Sequence, residues 1–164
     1  MTVKPVINVD ELELKQIGNG AGFEARIASF ADKIGSKGLD CRLHVVEPGK
    51  KAYPRHSHHR EHELFIILEG EGAYRFGDAS YPLRAGDVCA GPTGGPETAR
   101  QIINTGSRTL KYLGIGTRAE SEICEHPDPG KVLVWSSPDW AQGARVEHIF
   151  GKDDKPRGYY DGES

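Results

Sequence analysis

The densest run of chemically versatile side chains is His56-Ser57-His58-His59-Arg60-Glu61-His62, followed directly by Glu63. His56 and His58 are two residues apart. On a strand they project from one face about 7 Å apart at the backbone, so both imidazoles can reach a single ion. Glu63 is in phase with Phe65 and Ile67 and points wherever those apolar side chains point. If that face is the interior, the carboxylate is costly to bury unless a cation or a hydrogen-bond donor meets it. Two histidines and one carboxylate on a rigid scaffold form the open facial set suited to iron(II), and equally to manganese, nickel or zinc. The bland alternative is a solvated basic loop that happens to hold histidines; the in-phase glutamate and the flanking glycines favour the ligand reading. His62 is in phase with Leu64 and Ile66, and His59 is out of phase with His56 and His58, so both are expected at the surface or behind the ligands. The isolated His44, His126 and His148 carry no such pattern and are not read as ligands.

Period-two patterning places short strand candidates at residues 23–30, 39–47, 63–69, 73–76, 87–90, 98–104, 110–116 and 131–135. Turn clusters separate most of them: Glu47-Pro48-Gly49, Glu69-Gly70-Glu71-Gly72 and Gly91-Pro92-Thr93-Gly94-Gly95-Pro96. With 21 glycines and 10 prolines in 164 residues, long helices have little room, and regular short strands point to a sandwich or barrel. The stretch Leu64-Phe65-Ile66-Ile67-Leu68 is apolar on both alternate faces and reads as a central strand buried on both sides. Residues 1–20 read as a polar arm, residues 21–124 as the barrel and residues 125–164 as an extension. The rings of Trp135, Trp140, Phe150, Tyr159 and Tyr160 favour packing of that extension on the barrel.

A net charge of -3 excludes the basic excess of a nucleic-acid binder, and no helix-turn-helix stretch is present. The longest apolar run is far short of a bilayer crossing, and MTVKPVINVDELELK lacks an apolar signal core. Cys41, Cys89 and Cys124 are widely spaced and odd in number, which argues against a disulfide framework. A cytoplasmic, reduced protein is expected, with no membrane or nucleic-acid partner.

The segment from Pro48-Gly49 to Gly70 resembles the first motif of the cupin superfamily, G-x5-H-x-H-x3,4-E-x6-G, through His56, His58, Glu63 and Gly70, with one extra residue after Gly49. The run Gly86-Asp87-Val88-Cys89-Ala90-Gly91-Pro92-Thr93-Gly94 matches the first half of the second motif, G-x5-P-x-G-x2-H-x3-N, and Asn104 matches its end after a longer stretch. The likeness covers about residues 40–117. The tail residues Lys131-Val132-Leu133-Val134-Trp135 and Tyr160-Asp161-Gly162-Glu163 are also similar to those of small single-domain bacterial cupins. The resemblance implies an all-β jelly-roll barrel, a double-stranded β-helix, with an interior pocket and few short helices. It implies a divalent metal on His56, His58 and Glu63, a small-molecule ligand, and a homodimer in which the amino-terminal arm is a candidate for exchange. No nucleotide cofactor is expected.

The position where the family carries its fourth ligand holds Arg100. A guanidinium stays protonated and has no lone pair for a metal. Alternation puts Arg100, Ile102 and Asn104 on one face, so in the cupin register the guanidinium points into the cavity. The ion can still bind, with Arg100 clamping a substrate carboxylate by its planar fork. Alternatively Arg100 pairs with Glu63 and removes the need for a cation. In a third arrangement Arg100 turns to solvent and Glu97 becomes a ligand. Cys89 is assigned no chemistry, and Asn104 is expected to fix a turn through side-chain to backbone hydrogen bonds. Tyr53, Tyr74, Tyr112 and His44 are the candidate proton-transfer groups, none with a local signature. The functional expectation is a metal-dependent enzyme of dioxygenase or isomerase type acting on a small carboxylated or sugar-like molecule. The alternatives are a non-catalytic binding module and a metal-free barrel.

Overall fold

Glycine and proline punctuation breaks the chain into short strands, as the turn clusters predict. The computed structural model describes residues 3–137, 143, 145–151 and 153–162. Its strands are β1 (Lys15–Gly18), β2 (Glu24–Ser29), β3 (Leu39–Val46), β4 (Ser57–His58), β5 (Glu63–Glu69), β6 (Glu71–Phe76), β7 (Ala79–Arg84), β8 (Val88–Gly91), β9 (Arg100–Ile103), β10 (Leu110–Thr117), β11 (Ser121–His126), β12 (Lys131–Ser136) and β13 (Val146–Phe150). Among the described residues the only helical pieces are single 3-10 turns at Val9–Glu11, Asp32–Ile34 and Pro96–Thr98. None is long and apolar enough to cross a membrane.

The largest sheet runs β1-β2-β3-β10-β5-β8, a three-stranded sheet runs β7-β6-β9, and a four-stranded sheet runs β13-β12-β11-β4, with antiparallel pairing throughout. This is the expected all-β double-stranded β-helix. Alternation sorts the side chains of the largest sheet. Val46, Phe65, Ile67, Leu110 and Tyr112 point to one apolar cluster inside the barrel. Leu43, Val45, Leu68, Leu113 and Ile115 point to the opposite face, where Ile7, Val9, Leu12 and Leu14 from the amino-terminal segment cover them. Residues 1–20 thus include both this cover and the edge strand β1.

β5 lies between β10 and β8, the central position read from its sequence. One face is less enclosed than expected: Leu64 is 39 % exposed, because the amino-terminal cover reaches Leu68, Leu113 and Ile115 but does not extend over Leu64. Residues 125–126 continue β11, and β12 and β13 extend the same sheet. The aromatic residues of this region divide. Trp135 borders the central cavity, whereas Tyr159 and Tyr160 are 91 % and 79 % exposed and meet each other edge-on rather than packing on the barrel. The polar residues Asp153, Asp154, Lys155, Arg157 and Asp161 around them supply no apolar face to dock. Trp140 and Glu163 lie outside the described residues.

The turn after β5 requires its glycine. Gly70 has φ +84°, and a Cβ there would lie 2.4 Å from the Thr109 carbonyl oxygen. Asn104 also behaves as expected: its Nδ2 donates to the Val46 and Arg108 carbonyls, and its Oδ1 accepts from the Gly106 amide. The three cysteines are buried and unpaired.

Candidate metal centre

His56 and His58 are delivered by the short β4 segment, whose position is set from two sides. β4 pairs with β11 through His58 opposite Cys124, and His56 exchanges both backbone hydrogen bonds with Arg100. Glu63 opens β5 between two glycines, opposite Gly116 of β10 and Gly91 of β8. The Gly91 position is tight, since a Cβ there would stand 2.6 Å from Arg100 Nε. Glycine is therefore what lets the guanidinium lie against the carboxylate.

The three expected ligands converge. Nε2 of His56 and Nε2 of His58 stand 4.0 and 3.9 Å from Glu63 Oε2, and the ligand atoms of the trio lie within 4.8 Å of one another. Donors each about 2.1 Å from one ion are at most about 4.2 Å apart, a limit both Glu63 pairs meet. The hydrogen bonding prepares the rings. His56 Nδ1 donates to the Pro54 carbonyl at 2.8 Å, so its Nε2 carries the lone pair that faces Glu63. His58 Nδ1 faces Glu122 Oε2 at 3.6 Å and has no other partner, which favours the matching tautomer. Burial pushes the His56 pKa down to about 4, against the opposing pull of Glu63, and keeps the ring neutral as a ligand must be. This donor set fits a divalent ion.

Of the competing placements for Arg100, the structure shows the ion pair with Glu63. Nε and Nη2 donate to the same oxygen, Glu63 Oε2, at 2.8 and 2.6 Å, and Nη1 donates to the Pro92 carbonyl at 3.2 Å. The guanidinium is 1 % exposed. Burial raises the Glu63 pKa, but Arg100 and then the two imidazoles more than reverse this and hold the carboxyl below its ordinary value. Glu97 is exposed and accepts from the Gly95 amide, away from the site. His59 pairs with Glu125 at 2.7 Å at the rim and His62 is exposed, as their phase predicts.

Three residues entered the site without a sequence signal. Glu122 on β11 is fully buried and accepts backbone hydrogen bonds from His59, Arg60, Glu61 and Ile123. Burial raises its pKa, but His58 and the Glu61 amide outweigh that, so it is an anion behind His58. Glu61 lies on the same side, its Oε2 4.0 Å from His58 Nδ1. His126 brings a further imidazole beside His56, ring centroids 5.9 Å apart. All of these except Glu122 border one cavity of about 460 Å³, which also reaches His44, Tyr53, Tyr74, Tyr112 and Trp135. Tyr74 is committed, its hydroxyl donating to the Ala90 carbonyl.

Residues 42–116 match the cupin domain family. The chain is 35 % identical over 82 residues to (S)-ureidoglycine aminohydrolase of Arabidopsis thaliana, covering 49 % of this chain and 27 % of that protein. It is 37 % identical over 60 residues to the oxalate-binding protein of Thermotoga maritima, covering 37 % and 47 %. The alignments thus span about a quarter to a half of these curated relatives. A sugar phosphate isomerase structure from Silicibacter pomeroyi superposes with TM-score 0.76 at 21 % identity over 94 % of this chain and 98 % of that one, a likeness of fold. The motif histidines and glutamate converge inside the double-stranded β-helix, and the family match spans the strands that carry Glu63 and Arg100; residues 42–116 of this chain form a cupin domain.

Proposed function

We propose that His56, His58 and Glu63 bind one divalent metal and that the adjoining cavity takes a small carboxylated or sugar-like molecule. The observation that carries this reading is the convergence of the donors: Pro54 holds the far nitrogen of His56, the Glu122 carboxylate stands 3.6 Å from the far nitrogen of His58, and both near nitrogens face Glu63. Such an ion supplies Lewis-acid polarisation of a carbonyl, or oxygen activation when it is iron. The protein's own residues do the rest. Arg100 donates to Glu63 Oε2, the same oxygen that faces both imidazoles, so an ion there shares that oxygen with the guanidinium. A guanidinium has five N–H groups. Arg100 borders the cavity, and the Nη hydrogens that Glu63 and Pro92 do not take are those available to an anionic ligand group. Two relatives, an oxalate-binding protein and an (S)-ureidoglycine aminohydrolase, support a small carboxylated ligand. The reaction class, of dioxygenase or isomerase type, is read by turnover of keto acids, sugars and diols with and without added iron.

A second reading has a specific observation in its favour. The Arg100–Glu63 pair neutralises the carboxylate and sets a positive charge beside the ion's place, which supports a metal-free binding protein. Elemental analysis after purification without chelator and incubation with iron(II), manganese, nickel or zinc separates the two. The expected result is about one ion per chain, lost in His58→Ala, and tighter retention in Arg100→His, where a lone pair replaces a cation. Metal content no higher than that of His58→Ala refutes the metal reading and leaves the binding protein.

A further inference from the structure

One ring beyond His56, residues bordering the cavity carry polar atoms that lack a well-formed hydrogen bond within the protein. His44 on β3 is 3 % exposed, and neither ring nitrogen has a hydrogen-bond partner. The imidazole lies flat on Tyr112, centroids 4.5 Å apart at 6°, and meets Tyr53 edge-on at 5.6 Å. The Tyr53 hydroxyl is likewise buried with no well-aligned hydrogen bond, the Arg42 guanidinium being the polar group beside it, and its ring stands edge-on to His56 at 6.3 Å. Gly114 on the paired strand makes room, since a Cβ there would lie 3.0 Å from His44 Cε1.

Packing alone does not account for these residue types. A phenylalanine at 44 would stack on Tyr112 as well, and a buried polar atom left unpaired is destabilising. Burial pushes the His44 pKa down to about 3, with Arg42 adding to the effect, so the ring is neutral and offers one donor and one acceptor. The Tyr53 hydroxyl offers the same pair. Together they suit hydroxyl or carbonyl groups. They carry no positive charge to meet a phosphate, and the charges of the two guanidinium groups bordering the cavity are balanced by Asp40, 2.6 Å from Arg42, and by Glu63 beside Arg100.

We propose that His44 and Tyr53 form a recognition subsite for the neutral oxygen functions of a small polyhydroxylated ligand whose other end lies at His56, His58 and Glu63. The subsite deepens the proposed function and rests on it for the placement of that other end. It makes the protein selective for hydroxyl and carbonyl groups at the His44 end and indifferent to phosphorylation there.

The test follows the ring-nitrogen NMR signals of His44 in histidine-labelled protein, assigned with His44→Phe. Erythritol, D-erythronate and 4-phospho-D-erythronate are titrated with and without zinc. The expected result is a saturable shift of His44 with erythritol and with D-erythronate, weakened about fivefold or more in Tyr53→Phe, which removes only the hydroxyl. The phosphorylated probe binds no tighter than D-erythronate. The subsite is overturned if His44 does not respond to either unphosphorylated probe, if Tyr53→Phe binds as the wild type does, or if the phosphate tightens binding tenfold. Zinc should strengthen D-erythronate but not erythritol. A failure of that contrast sinks the metal reading, while the His44 response to erythritol still decides the subsite.

Discussion

Acid should expose the environment of His44 quantitatively. Its pKa is pushed down to about 3 in the folded protein, mainly by burial, against about 6.5 in an unfolded chain. The unfolded state therefore binds a proton that the folded state refuses. This contribution is absent above about pH 7.5 and grows as the pH falls from 6.5 towards 3. Between pH 7.5 and pH 5.0 the two constants give a loss of about 2 kcal/mol from this residue alone. His44→Phe keeps the stack on Tyr112 and removes the titration. Urea unfolding of wild type and variant at the two pH values isolates the effect, because acid losses from every other group cancel in the difference. The wild type should lose about 2 kcal/mol more than His44→Phe. Equal losses, within about 0.5 kcal/mol, would mean that the imidazole takes up its proton in the folded state, contradicting its enclosure by Tyr53, Tyr112 and Gly114.

Two further substitutions test the scaffold. Gly70→Ala forces a side chain into positive φ and against the Thr109 carbonyl, and should cost about 2 kcal/mol or more in urea unfolding with no change in zinc binding after refolding. Glu122→Gln keeps an acceptor for the His59–Glu61 and Ile123 amides but removes the charge facing His58 Nδ1. Zinc affinity measured by chelator competition should fall about 10- to 100-fold, and an unchanged affinity would show that Glu122 serves the backbone alone.

The convergence of His56, His58 and Glu63 was legible because its geometry is local: the spacing of His56 and His58 and the phase of Glu63 with Phe65 survive any barrel closure. The partner of Glu63 was left between alternatives, because Arg100 reaches it only through the backbone pairing of β9 with His56 and through the gap at Gly91. Glu122 carried no signal. An acidic residue in Ser121–His126 looks solvent-facing until the loop at His59–Glu61 turns its amides onto it. His44 did have a signal: it is in phase with Val46, which faces the interior. The strands that were missed lie mostly at edges. β7 contains Pro82, and β13 is exposed along its length, so neither shows the half-buried alternation by which strands are recognised.

The hairpin of β12 and β13 lies outside the family match yet lends Leu133, Trp135 and Glu147 to the wall of the cavity. Part of the chamber is therefore furnished by a segment free to diverge while the barrel stays the same. Two cupins with matching ion-binding residues but unlike tails would then admit different molecules, and exchanging the hairpin between them would carry selectivity with it.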